Sequence, residues 1–292
     1  MPATVSVLIV SFNSGEHLAH TLSKLCTPGC GAQVLVWDNG SGDSTPLILE
    51  RHQDRVARLG DGRNYGYAYA VNRLLSAATG EWWLLINGDV IVDGEKLEQM
   101  VQAAKGLPQP CLVGFGQMNE NGTPQLTWGN RPRLATEGER RRRTRAFSRG
   151  EGAWPAESPM EVDWLSGSLV FGSRESWRQA GDWDEAYFLF FEDAEFCLSA
   201  KERGVRIFYD GRVRVLHGHG KSMETRPALA RAAYRHAQRI YWMRHGSGWE
   251  RLLARLYLAG WRALWWADMT PLGRTLLEHY RRLQRRRPGE PL

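Results

Sequence analysis

The residues of this chain most able to do chemistry fall in three short stretches. The first is Asn87-Gly88-Asp89, where the apolar run Trp82-Trp83-Leu84-Leu85-Ile86 ends. A carboxylate beside a phosphate group repels it unless a divalent cation stands between them. Mg2+ or Mn2+ is held in such places by one or two carboxylates plus phosphate oxygens. Alone, Asn-Gly-Asp is equally a turn with a solvated aspartate. The second stretch is Glu192-Asp193-Ala194-Glu195, three carboxylates directly after the aromatic run YFLFF. In a partly dry pocket one of them could act as a general base. In a first helical turn they could equally do no more than complement the helix dipole. A helix starting here puts Glu192 and Glu195 on one face and turns Asp193 elsewhere. The third stretch is His217-Gly218-His219-Gly220-Lys221-Ser222. It offers an imidazole to a metal and a cation to a phosphate, or a solvated loop. A metal-ligand candidate, a base candidate and a basic group together imply displacement at a carbon bearing a nucleotide diphosphate. The metal stabilises the departing diphosphate, and the base takes a proton from an acceptor hydroxyl.

Such groups need a frame, and the first half of the chain supplies an alternating one. Residues 4–10, 33–37, 56–59 and 82–86 read as strands, the last apolar without alternation and so covered on both faces. Residues 14–25, 44–52 and 64–78 read as helices between them. This order predicts an α/β fold with a mixed, mostly parallel sheet flanked by helices. Ser11 and Asn13 follow the first strand, Asp38 and Asn39 the second, Arg63 and Asn64 the third, Asn87 and Asp89 the fourth. All lie beyond carboxyl ends of strands, where open α/β sheets bind ligands. Further on, 162–171 reads as ordered, 192–203 as a helix and 205–209 as a strand.

Two segments stand apart. Residues 116–159 are rich in Gly, Pro and Arg and contain Arg140-Arg141-Arg142-Arg143-Thr144-Arg145. They read as an excursion whose mobile basic part spans about 130–158, either a solvated charge run or a contact for an acidic acceptor or phospholipid. From about Pro227 the pattern is helical and dense in Arg and Trp. Leu252, Leu253, Leu256, Tyr257, Trp261, Leu264 and Trp265 form a wide apolar stripe, interrupted by Arg251, Arg255 and Arg262. The stripe therefore does not qualify as a spanning helix. It suits packing on the domain or a membrane interface, and the tail from Arg281 to Arg287 favours a membrane-facing position. The expected division is residues 1–225 as the catalytic-type domain and 226–292 as a helical extension.

The formal net charge of +6 makes an anionic partner plausible. No G-x-G-x-x-G follows the first strand and no G-x-x-x-x-G-K-[ST] occurs, which argues against a dinucleotide oxidoreductase and a P-loop NTPase. Four cysteines, with Cys26 and Cys30 spaced C-x3-C and no second metal-type pair, suit inert thiols in a reducing cytosol.

The sequence resembles the family 2, GT-A-fold inverting glycosyltransferases. The resemblance runs from Ser6 to about Gly248. It is carried by SVLIVSFNS at 6–14, WDNGSGDS at 37–44, NYGYAYAVN at 64–72, NGDV at 87–90, WLSGSLVF at 164–171, GDWDEAYFLFFEDAEFCLSAKERG at 181–204 and HGHGKS at 217–222. The W-L-S-G-S, E-D-A-E and RHGSGW stretches are closest to bacterial rhamnosyltransferases acting on lipid-linked cell-envelope intermediates. The resemblance implies a nucleotide-sugar donor, Mg2+ or Mn2+, and a glycan or polyprenyl-diphosphate-linked acceptor. The basic middle segment and the Arg/Trp-rich C-terminus would dock the chain on the cytoplasmic leaflet, where such an acceptor resides, in peripheral contact with anionic lipid at the inner face of the membrane. By motif position, Ser11, Asn13, Asp38 and Asn39 would cradle base and ribose, with Arg63, Asn64, Asn72 and Asn87 along the donor. Asp89 would hold the metal, with His217 facing the metal or diphosphate. Asp193 would be the catalytic base, and Trp164, Gly167, Ser168 and Glu192 would border the acceptor.

Departures from the pattern are Asn87 in place of the first Asp of the D-x-D-like motif, Gly88 where Pro is frequent, and Glu195 where Asp is common. The competing class is a binding protein. It would be either a nucleotide-sugar fold without catalysis or a nucleic-acid binder using the Arg clusters with interleaved Trp. The presence of both Asp89 and Asp193 speaks against the first. The placement of the basic residues, away from the polar sheet edge, speaks against nucleic acid.

Overall fold

A computed structural model describes residues 4–292 except 28, 155–157, 219–226 and 268–270. Its centre is a nine-stranded mixed sheet in the order β3 (Val56–Leu59), β2 (Gln33–Asp38), β1 (Val5–Ser11), β4 (Trp82–Asn87), β10 (Leu169–Ser173), β6 (Cys111–Met118), β11 (Arg206–His217) and β5 (Val90–Ile91), with β8 (Met160–Glu161) paired to β11. One edge is parallel and follows the expected alternation. It comprises β1 (Val5–Ser11), α1 (Gly15–Leu25), β2 (Gln33–Asp38), α2 (Thr45–Arg51), β3 (Val56–Leu59), α3 (Tyr67–Ala77) and β4 (Trp82–Asn87). β1 carries seven buried residues in a row because both its faces are covered. Val7 and Ile9 pack with Leu18, Leu22 and Met100 on one side. Leu8 and Val10 pack with Val71, Leu74, Trp177 and Phe196 on the other.

Beyond β4 the chain makes β5 (Val90–Ile91), α4 (Gly94–Lys105) and β6 (Cys111–Met118). A short ribbon pairs β7 (Trp128–Gly129) with β9 (Trp164–Leu165). β10 (Leu169–Ser173) then enters antiparallel between β4 and β6. α6 (Arg174–Ala180) and α7 (Glu192–Glu202) follow, and β11 (Arg206–His217) runs parallel to β6, continuing well past the expected 205–209.

The basic segment expected to be mobile over about 130–158 contains β7's exit loop, the helix α5 (Glu137–Ser148) and the start of the approach to β8 (Met160–Glu161). Glu137 explains the helix. Buried in its first turn, it takes Arg140 and Arg141 at i+3 and i+4, both at 2.9 Å. The same arginines reach the tyrosine hydroxyls of Tyr234 and Tyr257 on the C-terminal helices.

Those helices are α8 (Pro227–His245), α9 (Gly248–Ala267) and α10 (Pro271–Arg285). α8 lies on the YFLFF run. Phe188 packs with Leu229 and Ala232, and Tyr187, Phe191 and Ala194 pack with Ala237, Tyr241 and Trp242. α10 covers α8 through Leu276, Tyr280 and Leu283. The arginine-rich tail, read from sequence as membrane-facing, turns partly inward. Arg286 donates to the carbonyls of Tyr65 and Glu185, and the Leu292 N–H donates to the Asn64 carbonyl. Among the described residues no helix is long and apolar enough to cross a membrane.

Candidate active site

A cleft of about 980 Å3 opens at the carboxyl ends of the strands. Its wall includes Asn39, Asn64, Asn87, Asp89, Trp164, Gly167, Ser168, Glu192, Asp193 and His217. The donor-side and acceptor-side candidates are thus brought together. β4 and β10 are neighbours, and the Asn87 N–H donates to the Ser168 carbonyl at 3.1 Å. One residue on, the Gly167 N–H donates to Asp193 Oδ2 at 3.2 Å. Asp89 and Asp193 both line this one space.

Five expected donor residues do not form the cleft wall, for separate reasons. Ser11 is fully buried beneath it, and its Oγ has no hydrogen-bond partner among the described residues. Asn13, at φ 51°, accepts the Gly42 N–H at 2.8 Å and ties the loop after β1 to the loop after β2. Asp38 already has its partners: the Ser41 N–H at 3.0 Å and the Arg58 guanidinium at 3.2 Å. Arg63 is exposed and leans toward Asp61 at 3.8 Å. Asn72 clamps α3 to the chain after α6, accepting from the Trp183 N–H and donating to the Trp183 carbonyl and the Glu185 carboxylate. Asn39, which does line the cleft, is also a tether. Its Oδ1 accepts from Trp37 Nε1 and the Tyr65 N–H, and its Nδ2 donates to the Gly66 carbonyl.

Gly88 owes its identity to close approach, since its φ is not among the positive ones. A Cβ there would meet Ser14 Cβ and Oγ at 3.2 Å and Ser11 Oγ at 3.4 Å. The turn lets Asp89 meet His217, whose Nε2 lies 3.3 Å from Asp89 Oδ1. The pairing of β5 with β11 fixes this, with His217 opposite Val90 and the Gly218 N–H on the Asp89 carbonyl at 2.8 Å. Burial pushes the Asp89 carboxyl up, but the hydrogen bond and charge of His217 more than offset it and hold the group below the usual range. The rest of the histidine stretch, His219 to Ser222, lies outside the described residues.

The carboxylates of α7 do not divide as helical spacing suggested. Glu192 and Asp193 both line the cleft, while Glu195 turns away to Tyr187 Oη and His245 Nε2, each at 2.7 Å. The cause is the entry into the helix. Phe190 and Phe191 sit at φ 70° and 63°, a left-handed conformation costly for aromatic residues and held here by packing on Tyr234 and Tyr241. This aims the first two positions of α7 into the cleft. Burial pushes the Asp193 carboxyl above its ordinary value, against the lowering effect of the Gly167 N–H and the Trp164 side chain. Burial and the charge of Asp193 push Glu192 well up, and its Oε2 has no hydrogen-bond partner among the described residues.

Sequence reasoning missed Tyr67, whose hydroxyl donates to the Gly167 carbonyl at 2.7 Å. Burial and then the charges of Glu192, Asp193 and Asp89 keep that phenol protonated. It also missed Arg131, Arg133 and Lys201 on the wall, while Arg140 and Arg143, from the run read as solvated or as a contact for an acidic acceptor or phospholipid, line the cleft rather than lying away from the polar sheet edge.

Residues 6–162 match the family model for glycosyl transferase family 2, more than half of the chain. The chain belongs to glycosyl transferase family 2. This glycosyltransferase is 30% identical over 286 residues to N-acetylglucosaminyl-diphospho-decaprenol L-rhamnosyltransferase of Mycobacterium tuberculosis, covering 90% of its own length and 92% of the relative's. It is 23% identical over 218 residues to a low-salt glycan biosynthesis hexosyltransferase of Haloferax volcanii, covering 70% of its own length and 63% of the relative's. Its fold is shared with a mannosyltransferase from Pyrobaculum calidifontis solved with GDP-Man and Mn2+. The TM-score is 0.54 at 20% identity, over 97% of this chain and 81% of that one. The glycosyltransferase thus has the GT-A architecture that its sequence resembles, with a helical C-terminal part.

Among the described residues no group of three His, Cys, Asp or Glu could hold a metal ion by itself. The donor set that is present, one buried carboxylate oxygen and one imidazole nitrogen, fits a divalent ion that takes its remaining ligands from phosphate oxygens.

Proposed function

We propose that this glycosyltransferase moves a sugar, with inversion, from a nucleoside diphosphate to a hydroxyl of a lipid-linked glycan. The observation that carries the reading is that Asp193, with its raised carboxyl pKa, opens into the same cavity as the Asp89–His217 pair. L-Rhamnose from dTDP-rhamnose is the first donor to try, in view of the mycobacterial relative's name.

The acceptor hydroxyl would stand beside Trp164, Gly167 and Ser168. Its oxygen attacks the anomeric carbon while its proton passes to Asp193. The bond to the diphosphate breaks on the opposite face, and the electron pair leaves with the diphosphate. A carboxylate raised above its ordinary value accepts that proton more readily. The Gly167 N–H holds Asp193 Oδ2 in place before the acceptor arrives, so alignment costs little at the moment of reaction. Asp89 and His217 would hold Mn2+ or Mg2+, which when bound offsets charge on the departing diphosphate.

The reading extends to a peripheral contact with anionic lipid at the cytoplasmic face. Trp249, Leu252, Leu253 and Leu256 on α9 are 75%, 45%, 50% and 62% exposed. Their spacing puts them on one helical face, and the exposed Arg251 and Arg255 lie beside it.

A metal-supplemented screen of nucleotide sugars, read by release of nucleoside diphosphate, tests the reaction. A dTDP-deoxyhexose is expected to turn over, faster with a sugar-diphospho-prenol acceptor present. No turnover with any nucleotide sugar ends the reading. For the membrane contact, replacing Trp249, Leu252, Leu253 and Leu256 by Ser is expected to abolish flotation with anionic vesicles. Undiminished flotation removes that surface.

A further inference from the structure

The cleft has two linings of opposite charge. The acidic one comes from the end of β4 and the first turn of α7. The mainly basic one comes from the loop after β7, from α5 and from the last turn of α7, where Arg131, Arg133, Arg140, Arg143 and Lys201 outnumber the carboxylates Glu139 and Asp163. At 1.5 Å rise per residue, Lys201 lies about 12 Å along α7 from Asp193. Lys201 is thus away from Asp193, and part of this lining sits on a fixed frame. Arg140 is held by Glu137 and Tyr234, Lys201 by Asp163, and Arg131 reaches the His245 carbonyl.

Arg133 and Arg143 differ. Neither makes a salt bridge or a side-chain hydrogen bond among the described residues. Arg143 is nevertheless placed, with one guanidinium nitrogen 3.9 Å from where a Cβ on Gly129 would stand. Gly129 pairs with Trp164, which borders Asp193. Arg133 is exposed and feels the charge of Glu250, Arg143 is half-buried, and both guanidinium groups stand on the wall of the cavity, where they suit an anionic ligand. The same cavity is also lined by Leu189, Phe190, Leu229 and Tyr234, an apolar surface.

We infer that Arg133 and Arg143 bind the diphosphate of the acceptor, so that a prenyl-diphosphate-linked sugar lies with its hydroxyl at Asp193, its diphosphate on the arginines and its first isoprene units on the apolar surface. This deepens the proposed reaction and rests on it. The chemistry is consistent with the spacing, because a diphosphate on the anomeric carbon of the acceptor sugar is one sugar ring away from the attacking hydroxyl. The donor diphosphate is served separately, by the Asp89 side.

The test uses two acceptors with the same sugar, one joined through diphosphate to a short prenyl chain and one a neutral alkyl glycoside. In the double variant Arg133→Ala/Arg143→Ala, the ratio of kcat/KM for the diphosphate acceptor to that for the neutral one is expected to fall about tenfold, the usual effect of losing hydrogen bonds to a charged group. The Lys/Lys variant should recover part of the ratio, since the charge returns without the planar fork. Binding of a short prenyl diphosphate, followed by tryptophan fluorescence without donor, should weaken in parallel. Equal losses on both acceptors, or an unchanged ratio, overturn the assignment. So does a variant that loses association with anionic vesicles while keeping the ratio, because the arginines would then serve lipid headgroups. Turnover of the neutral acceptor by the unaltered enzyme tests glycosyl transfer alone, so a failure of the arginine site is distinguishable from a failure of the reaction.

Discussion

The two sides of the cleft are built in opposite ways. On the donor side, in the loops after β1, β2 and β3, polar side chains mostly satisfy one another. Asn13 holds Gly42, Asn39 holds Tyr65 and Gly66, and Asp38 holds Ser41 and Arg58. On the acceptor side, at the start of α7, two carboxyl groups are buried side by side, and one of them is not fully satisfied. Glu192 Oε2 is without a partner among the described residues, and two left-handed phenylalanines precede it. Hydrogen bonds define the shape of the first side, while packing forces reactive groups into the second. Substitutions should therefore cost stability on one side and turnover on the other.

The largest effect is expected at Asp193. Asp193→Asn should lower kcat by roughly 10²-fold or more if the carboxylate takes the acceptor proton. Its melting temperature should stay level or rise, because a charge in a dry place has been removed. Near-normal turnover breaks the comparison at its strongest point. The pH profile provides the same test without mutation. A raised carboxyl is protonated, and so inactive as a base, as pH falls through its raised value. The acidic limb of activity should therefore lie above the ordinary aspartate value of about 4.

Next in size is Asp89→Ala, which should lower kcat/KM on the order of 10²-fold by removing support for the leaving diphosphate. A drop confined to the melting temperature would place Asp89 among the structural groups instead. Glu192 sharpens the comparison further. A carboxyl held in its neutral form is mimicked by an amide, so Glu192→Gln should stay within a few-fold of the parent and Glu192→Ala should lose about tenfold in acceptor kcat/KM. Equal, deep losses in both variants would show that its charge is used. The smallest catalytic effect belongs to Asn39. Asn39→Ala should cost about 1–3 kcal/mol in urea unfolding, through the two donors and one acceptor left unpaired, with kcat little changed.

Much of this was legible in the sequence. The apolar strands and the helices between them gave the parallel edge because local periodicity and burial agree there. The convergence of Asn39, Asn64, Asn87 and Asp89 followed from strand order alone. Three things were not legible. Whether a polar residue faces ligand or neighbour depends on the partner: Asn72 against Trp183 and Asp38 against Arg58 are long-range pairings that spacing does not contain. The aim of α7 depends on the left-handed Phe190-Phe191 entry, which the propensities of phenylalanine argue against. The order of 137–148 depends on a single buried glutamate and on tyrosines roughly a hundred residues away.

The place of β10 has a consequence for how the molecule can be assembled. The segment bearing the family signature, residues 6–162, contains β4 and β6 but not the strand that joins them. Translated alone, it would leave one edge of β4 and both edges of β6 with unpaired amides and carbonyls, since β11 also lies beyond it, a template for sticking to other chains. Its recognisable signature is therefore not expected to fold by itself. The sheet closes late, through contacts distant in sequence, and a holdase should help most before residues 169–173 have been made.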